Sequence, residues 1–254
     1  MEGIRRVDVL GLPFDAITFD ETMRLIEACL SSAGRMRIAP GSVDFVMKAR
    51  RDPGFASLLR TFELIVADGV PITWAASLLG TPLEGRVSGT DMVWRMAEVS
   101  ARTGAGVAMI GAAPGVADRA AHRMRQAFAG ASLHPIPTPM KLDARASHAI
   151  CARIRDLGAK IVLVALGAPR QERWIADYMD EAGATIGSGI GSAFDIISGD
   201  KPRAPKWMAD SGGEWIHRMF QDPKRLGRRY LIEDSPFLWH LGVAVAARRI
   251  FRRS

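Results

Sequence analysis

Short apolar runs alternate with longer segments of helical periodicity over the first 200 residues, and this alternation restricts the fold most. The clearest run is KIVLVALGAP (160–169), an unbroken apolar stretch of the kind found in strands that are buried on both faces. Parallel strands need helical crossovers, so this alternation predicts a doubly wound, Rossmann-like α/β domain with a mainly parallel sheet. Ligands in such a domain bind at the carboxyl ends of the strands.

The individual elements follow from periodicity and capping signals. Thr18 and Glu21 form a predicted capping box ahead of an amphipathic helix, and Thr90 is the predicted N-cap of the helix through Val99. Further helices are predicted over 43–59, 70–79, 116–128 and 142–157 and in the segment RQERWIADYM. The predicted strands are RRVDVLGLPF, RMRIAP, FELIVADG, GVAMIGA (106–112), 133–136 and 160–169, and the stretch ATIGSGIGSAFDIISG follows them.

Positive charge is concentrated in the last part of the chain. The formal net charge is +7, and residues 1–200 carry 22 basic and 22 acidic side chains, whereas residues 201–254 carry 12 and 5. We therefore predict a neutral α/β domain over 1–200 and a basic, helical C-terminal extension over 201–254. Nucleic-acid-binding proteins usually present a basic face on the folded domain, so this distribution disfavours them. A nucleic-acid-binding module that uses only the extension is an alternative hypothesis.

The segment SPFLWHLGVAVAARRIFRRS (235–254) joins an apolar stretch to four arginines, Arg248, Arg249, Arg252 and Arg253. This pattern is typical of a helix at a membrane interface, with its arginines at anionic headgroups. The alternative is a helix that packs against its own domain or a second copy of the chain. No apolar stretch reaches the roughly 20 residues of a membrane span, and the N-terminal residues lack a signal-peptide core. We predict a cytoplasmic protein that is peripheral on the inner face of the cytoplasmic membrane.

Several function classes are disfavoured by missing motifs. The sequence lacks GxxxxGK[ST], HExxH, GxSxG, Asp-x-Asp and any Cys/His cluster with metal-ligand spacing, so we expect neither a metal nor a cofactor. Cys29 and Cys151 are predicted to be buried core side chains, since two separated cysteines make no disulfide framework. An NAD-dependent oxidoreductase, the other alternative, requires a glycine fingerprint after the first strand. Gly11-Leu-Pro-Phe-Asp does not supply one.

Polar residues and glycines follow the predicted strands and indicate a cleft. Glycine loops let backbone N–H groups approach a phosphate, and Asp68, after the strand FELIVA, could accept a proton from an attacking hydroxyl. Asp68 could instead form only an Asx turn before a helix with Pro71 in its first turn. The remaining residues of this group are Arg86, Asp91, Gly111, Gly167, Pro169, Gln171, Glu172, Gly189, Gly191 and Asp195.

Four segments in register carry a resemblance to a known family. They are ADGVPITWAASLLGTPLEGRVSGTD (67–91), VLVALGAPRQERWI (162–175), GSGIGSAFDIISGDKPRAPKWM (187–208) and GGEWIHRMFQDPKRLGRRYL (212–231). In order and spacing the chain resembles the WecG/TagA/CpsF family of bacterial glycosyltransferases. The resemblance implies an inverting, metal-independent transfer from a UDP-sugar to a sugar carried on a polyprenyl diphosphate, as part of cell-surface polysaccharide synthesis. The donor types compatible with it are N-acetylmannosamine, a uronic acid and glucose.

The resemblance also implies roles for individual residues. The family's catalytic base falls on Asp68, and its R-V-x-G arginine and G-x-P-x-Q-E glutamine fall on Arg86 and Gln171. The glycines 167, 189 and 191 are expected to line the nucleotide-sugar cleft, with Asp91, Glu172 and Asp195 nearby. The arginines of the extension that we expect to close over the leaving diphosphate are Arg218, Arg225, Arg228 and Arg229.

One segment departs from the family pattern. Where members commonly read Thr-x-Asn before an acidic residue, this chain reads Pro40-Gly41-Ser42-Val43-Asp44. Pro40 has neither a hydroxyl nor a backbone N–H, and Ser42 can replace only part of the hydrogen bonding of an asparagine amide. The two hypotheses are an altered donor or acceptor and an impaired enzyme; the intact Asp68, Arg86, Gln171 and Glu172 favour altered specificity.

Overall fold

A six-stranded, entirely parallel sheet forms the centre of the protein, as the alternating pattern predicts. In the computed structural model, which describes residues 3–32, 34–139, 141–205, 207–208 and 211–251, the strand order is β4-β3-β8-β7-β5-β6. The sheet strands are β3 (Met36–Gly41), β4 (Leu64–Ala67), β5 (Val107–Gly111), β6 (Leu133–Ile136), β7 (Ile161–Ala165) and β8 (Ile186–Gly189). The last two strands of the chain therefore occupy central positions, where β8 pairs with both β3 and β7.

Helices connect the strands and cover both faces of the sheet. Alternate residues of β7 belong to different apolar clusters, Val162 and Val164 to one and Ile161 and Leu163 to the other, so both faces of this strand are buried. The predicted core cysteines are buried. The helices of the domain are α1 (Phe19–Leu30), α2 (Val43–Arg51), α3 (Pro53–Arg60), α4 (Val70–Leu78), α5 (Gly89–Thr103), α6 (Val116–Ala127), α7 (Ala144–Asp156), α8 (Arg170–Tyr178) and α9 (Ala193–Ser198).

The first predicted strand is a hairpin, which corrects the sequence prediction. β1 (Arg6–Val9) and β2 (Leu12–Asp15) pair antiparallel and lie outside the main sheet. Leu10 and Gly11 both have positive φ, 56° and 95°, as a two-residue hairpin turn of the primed type requires. The turn was missed because leucine rarely adopts this conformation.

Two helix boundaries also differ from the prediction. The predicted helix over 43–59 is two helices, because Pro53 cannot continue the hydrogen-bond ladder of α2 and instead begins α3. Asp52 caps α3 by accepting a hydrogen bond from the Phe55 N–H (3.1 Å). The N-cap of α5 is Ser88, whose hydroxyl accepts from the Asp91 N–H (3.3 Å), and not Thr90, which lies inside the helix.

The C-terminal extension is helical, as predicted. It contains α10 (Glu214–Gln221), α11 (Pro223–Arg228), a π-helical turn (Arg229–Glu233) and α12 (Pro236–Phe251). Among the described residues no helix combines the length and apolar character of a membrane span. Of the four predicted headgroup-binding arginines, Arg252 and Arg253 lie outside the described residues, as does the side chain of Arg249. Arg248 instead donates a hydrogen bond to the carbonyl of Leu79 in the domain. The division of the chain at residue 200 stays a prediction.

Candidate active site

Asp68 lies where the ends of β3 and β4 meet, directly after β4. Its backbone N–H donates to the carbonyl of Gly41 (2.8 Å), and its carboxylate accepts a hydrogen bond from the backbone N–H of Gly89 at the start of α5. A Cβ at Gly89 would lie 3.3 Å from the Asp68 Oδ2 and 3.6 Å from the Pro40 ring. The glycine therefore lets the helix N-terminus approach the carboxylate closely.

The pKa of Asp68 is raised from 3.8 to about 6, foremost because burial disfavours the charged form. The positive charges of Arg218 and Arg86 lower this pKa, whereas the carboxylate of Glu214 raises it. At neutral pH Asp68 is thus mainly ionised, and its affinity for a proton is higher than that of an exposed aspartate. These are the properties of a general base.

Two arginines and one glutamate surround Asp68. Arg86 follows α4 in the sequence, and its Nη1 lies 3.7 Å from Oε2 of Glu214, which also forms an ion pair with Arg218 one helical turn later. Burial disfavours the charged form of Arg218, but Glu214 and Asp68 favour it more, and its pKa lies above the usual value. Glu214 was not predicted from the sequence, although its spacing of four residues from Arg218 is a helix ion-pair signal.

Gln171 and Glu172 form a second group, at the ends of β7 and β8. The Gln171 Oε1 accepts hydrogen bonds from the backbone N–H groups of Gly167 (3.0 Å) and Gly191 (3.1 Å), and its Nε2 donates to Glu172 (2.6 Å). A Cβ at Gly189 would lie 2.5 Å from both side chains. Gln171, which is only 2% exposed, therefore ties the two glycine loops together inside the protein.

Glu172 is completely buried, and burial is the main reason that its pKa is raised to about 7. Its neighbours Lys48 and Asp44 act on this pKa in opposite directions. The Lys48 Nζ donates to the Asp44 Oδ2 (2.7 Å) and to the carbonyl of Ala168 (2.9 Å), the residue before the cis peptide bond of Pro169. This lysine therefore joins α2 to the loop that follows β7.

The other residues predicted for the site lie in varied surroundings. Asp91 and Asp195 form ion pairs with Arg203 (2.5 Å) and Lys201 (2.9 Å), at the beginning of the extension. Ser42 is the N-cap residue of α2, but its side chain makes no capping hydrogen bond to the helix. The backbone N–H of Gly111 donates to the hydroxyl of Thr138. Arg228 is exposed and lies 3.4 Å from Glu233, while the side chain of Arg225 lies outside the described part of the structure.

Pro40, where the family commonly has a threonine, lies on β3 beside β4, opposite Val66. Its ring is also close to Gly89, which donates a hydrogen bond to Asp68. The position next to the carboxylate therefore presents an apolar ring and no hydroxyl. The assignments of all these residues to substrate stay predictions.

Comparison with known proteins identifies the family of this chain. A model of the glycosyl transferase WecG/TagA/CpsF family matches residues 7–253. The N-acetylglucosaminyldiphosphoundecaprenol N-acetyl-beta-D-mannosaminyltransferases of Staphylococcus aureus strains MW2 and NCTC 8325 / PS 47 are each 26% identical to this chain, and that of strain MRSA252 is 25% identical. Each alignment covers 96% of this chain and 94% of the relative. The chain is a glycosyltransferase and belongs to the WecG/TagA/CpsF family.

Proposed function

We propose that this protein transfers a sugar from a UDP-sugar to a sugar carried on a polyprenyl diphosphate, with inversion at the anomeric carbon. The observation that carries the proposal is the partly buried Asp68, with a pKa of about 6, between Arg86 and Arg218 at the carboxyl edge of the sheet. The names of the S. aureus relatives, which specify a diphosphoundecaprenol-linked acceptor and a β-mannosaminyl product, support the acceptor and the stereochemistry.

The chemistry follows from this group of side chains. The acceptor hydroxyl attacks the anomeric carbon of the donor, and the bond from that carbon to the diphosphate oxygen breaks with its electron pair leaving on UDP. Asp68 takes the proton of the attacking hydroxyl. Arg86 and Arg218 supply positive charge near the diphosphate as it becomes more negative, and fixed charges of this kind are usually the largest contribution to such catalysis.

The glycine loops after β7 and β8 are suited to the nucleotide diphosphate. These loops lie at the edge of the sheet where nucleotides bind in doubly wound folds. The N–H groups of Gly167 and Gly191 are bonded to Gln171, so other atoms of the loops would contact the nucleotide. Gln171 contributes by holding the loops together through Gly167 and Gly191, with its own amide buried. Pro40 favours a donor or acceptor that needs no hydroxyl beside Asp68. The donor types compatible with the family resemblance stay N-acetylmannosamine, a uronic acid and glucose.

Turnover with defined substrates tests the proposal. UDP-N-acetylmannosamine, UDP-uronic acids and UDP-glucose are incubated in turn with a synthetic polyprenyl diphosphate that carries N-acetylglucosamine. We expect labelled sugar from one donor to enter the lipid fraction. NAD reduction, or salt-dependent DNA retention without any UDP binding, would favour the alternative classes instead.

We further propose that the extension attaches the enzyme to an anionic membrane surface, on the inner face of the cytoplasmic membrane. Helix α10 directs Glu214 and Arg218 toward Asp68, while Phe220 on the same helix is 76% exposed. In α12 the side chains of Phe237 and Leu241 are buried, so this helix does pack against its own domain, as the alternative hypothesis predicts. Large apolar side chains nevertheless remain exposed along the extension: Trp207, Leu231, Ile232, Leu238, Trp239 and Val243.

Replacing Leu238, Trp239 and Val243 of α12 together by serine is expected to reduce binding to anionic phosphatidylglycerol vesicles at least 10-fold. Each side chain is more than half exposed, so its removal leaves the core intact, and partial insertion of three such residues contributes a few kcal/mol at about 25 cal/mol per Å². Co-sedimentation measures the bound fraction, with neutral vesicles and the Tm as controls. Unchanged sedimentation of a folded variant would refute insertion of α12.

A further inference from the structure

Asp44 is a buried carboxylate at which three segments of the chain meet. It lies in the first turn of α2 and is only 5% exposed. Its Oδ2 accepts from the Lys48 Nζ (2.7 Å), and its Oδ1 lies 3.3 Å from the Nε of Arg229. Lys48 continues the network to the Ala168 carbonyl in the loop after β7. Asp44 thereby connects the domain to the π-helical turn of the extension.

Arg229 has two carboxylate partners and one aromatic neighbour. Its Nε lies 3.3 Å from Asp44 and 3.3 Å from Asp234, and its guanidinium lies over the Tyr230 ring at 5.4 Å from the ring centroid. The pKa of Asp234 is raised to about 6, mainly by burial, with Asp44 raising it further and Arg229 lowering it. One carboxylate of the domain and one of the extension thus share a single guanidinium.

The polar contacts matter because the neighbouring part of the extension has little apolar anchoring. Neither α10 nor the π-helical turn contains a buried residue, and Leu226 of α11, which lies between them, is a buried apolar side chain. Apart from Leu226, charged and hydrogen-bonded contacts hold this segment to the domain, and they include Arg86 with Glu214, Arg51 with the Glu233 carbonyl, and Asp44 with Arg229. Among these three, only the Asp44–Arg229 contact has a carboxylate that is almost completely buried, and such a pair costs the most to break.

We propose that Asp44 is a positioning residue that holds Arg229 and with it the segment from α10 to the π-helical turn, so that Arg218 stays beside Asp68. This inference rests on the proposed function of Asp68 as the base. The proposed reaction assigns no chemical step to Asp44 itself. Asp44 acts through Arg229, which the sequence predicts to close over the diphosphate together with Arg228. In the structure Arg229 is instead paired with Asp44 and Asp234, whereas Arg228 remains exposed.

Asp44→Asn and Arg229→Gln test the proposal together with the double variant. We expect each to lower kcat/KM for transfer about 10-fold or more, and the double variant to be no worse than either one, because both remove the same contact. Backbone amide hydrogen exchange in 214–233 is expected to accelerate at least 10-fold in all three. Asp180→Asn, which removes an exposed ion pair with Arg35 (2.6 Å), is the matched control and leaves both readouts unchanged.

The pH dependence separates positioning from simple destabilisation. In the wild type, activity is expected to fall as Asp68 is protonated near pH 6, because burial raises the pKa of this carboxyl. When α10 loosens, water reaches Asp68, and the burial that raises its pKa is lost. Arg218 and Glu214 move away together, and their effects on this pKa are opposite. Arg86 remains and continues to lower it. The acid limb of kcat/KM is therefore expected to move to lower pH in Asp44→Asn and Arg229→Gln.

Two results would overturn the positioning role: unchanged exchange in 214–233, or faster exchange with an unshifted acid limb. A general loss of stability would give the second of these results, because it would lower the Tm without moving the acid limb. The failure of the proposed function is a different observation, namely an Asp68→Asn variant that retains more than about a tenth of the wild-type turnover. Hydrogen exchange is measured without substrate, so it reports on the Asp44–Arg229 contact whether or not Asp68 is the base.

Discussion

Asp68→Asn is expected to lower kcat for sugar transfer at least about 100-fold while UDP still binds. The amide keeps the size of the side chain and can accept a hydrogen bond from the Gly89 N–H, but it cannot take the proton of the acceptor hydroxyl. General base catalysis typically contributes ~10²–10⁴-fold. Initial rates measure kcat, and a thermal shift with UDP measures binding. Retention of more than about a tenth of the wild-type turnover would rule out Asp68 as the base.

The pH profile provides the control for this substitution. Because the folded pKa of Asp68 is raised to about 6, the wild-type kcat/KM is expected to decline as the pH falls through 6. The residual activity of Asp68→Asn should lack that decline. Asp180→Asn, at an exposed position, should retain both the wild-type rate and the wild-type profile.

Arg218→Gln is expected to lower kcat/KM about 10²–10³-fold, the usual cost of removing one group that stabilises transition-state charge. Arg218 ion-pairs with Glu214 and lowers the pKa of Asp68, so its positive charge acts on the proposed base. We propose that the same charge stabilises the leaving diphosphate. Arg218→Lys keeps the positive charge but cannot form bidentate hydrogen bonds, so we expect a rate between those of the wild type and Arg218→Gln. Rates of both variants equal to the wild type would exclude this arginine from the reaction.

Arg218→Gln and the variants that loosen the extension are expected to move the acid limb of the kcat/KM profile in opposite directions. Arg218→Gln removes a charge that lowers the pKa of Asp68 and leaves the burial and Glu214, so the limb moves to higher pH. Loosening the extension through Asp44 removes burial itself, and the limb moves to lower pH. The direction of the shift therefore reports whether a variant has lost the charge alone or the position of the whole helix.

Most elements of the domain could be predicted because they depend on local patterns. The Thr18–Glu21 capping box and the apolar run of β7 are complete within a few residues, and both are present in the structure. The order of the strands was not predicted, because β8 lies between β3 and β7 through contacts across about 150 residues of sequence. The hairpin turn at Leu10 was missed because its backbone conformation is uncommon for leucine.

The site residues likewise divide into those that local patterns indicate and those that depend on the folded structure. Asp68 and the glycine loops follow strands, so strand ends alone indicated them, and the family motifs added Arg86 and Gln171. Sequence patterns did not reveal that Gln171 is buried and bonded to two loops, since that depends on how β7 and β8 pair. Glu214 and Asp44 were missed as well, because each acquires its role only when the extension folds back on the domain.

The most direct test of the central claim measures UDP release and lipid-linked product in one reaction, followed by the anomeric configuration of the product by NMR. With an α-linked UDP-sugar in excess EDTA, we predict one UDP released per sugar transferred, a dependence on the polyprenyl-diphosphate acceptor, and a β-linked product. An α-linked product would contradict a single displacement with Asp68 as the base. UDP release at the same rate without the acceptor would contradict transfer to the lipid-linked sugar.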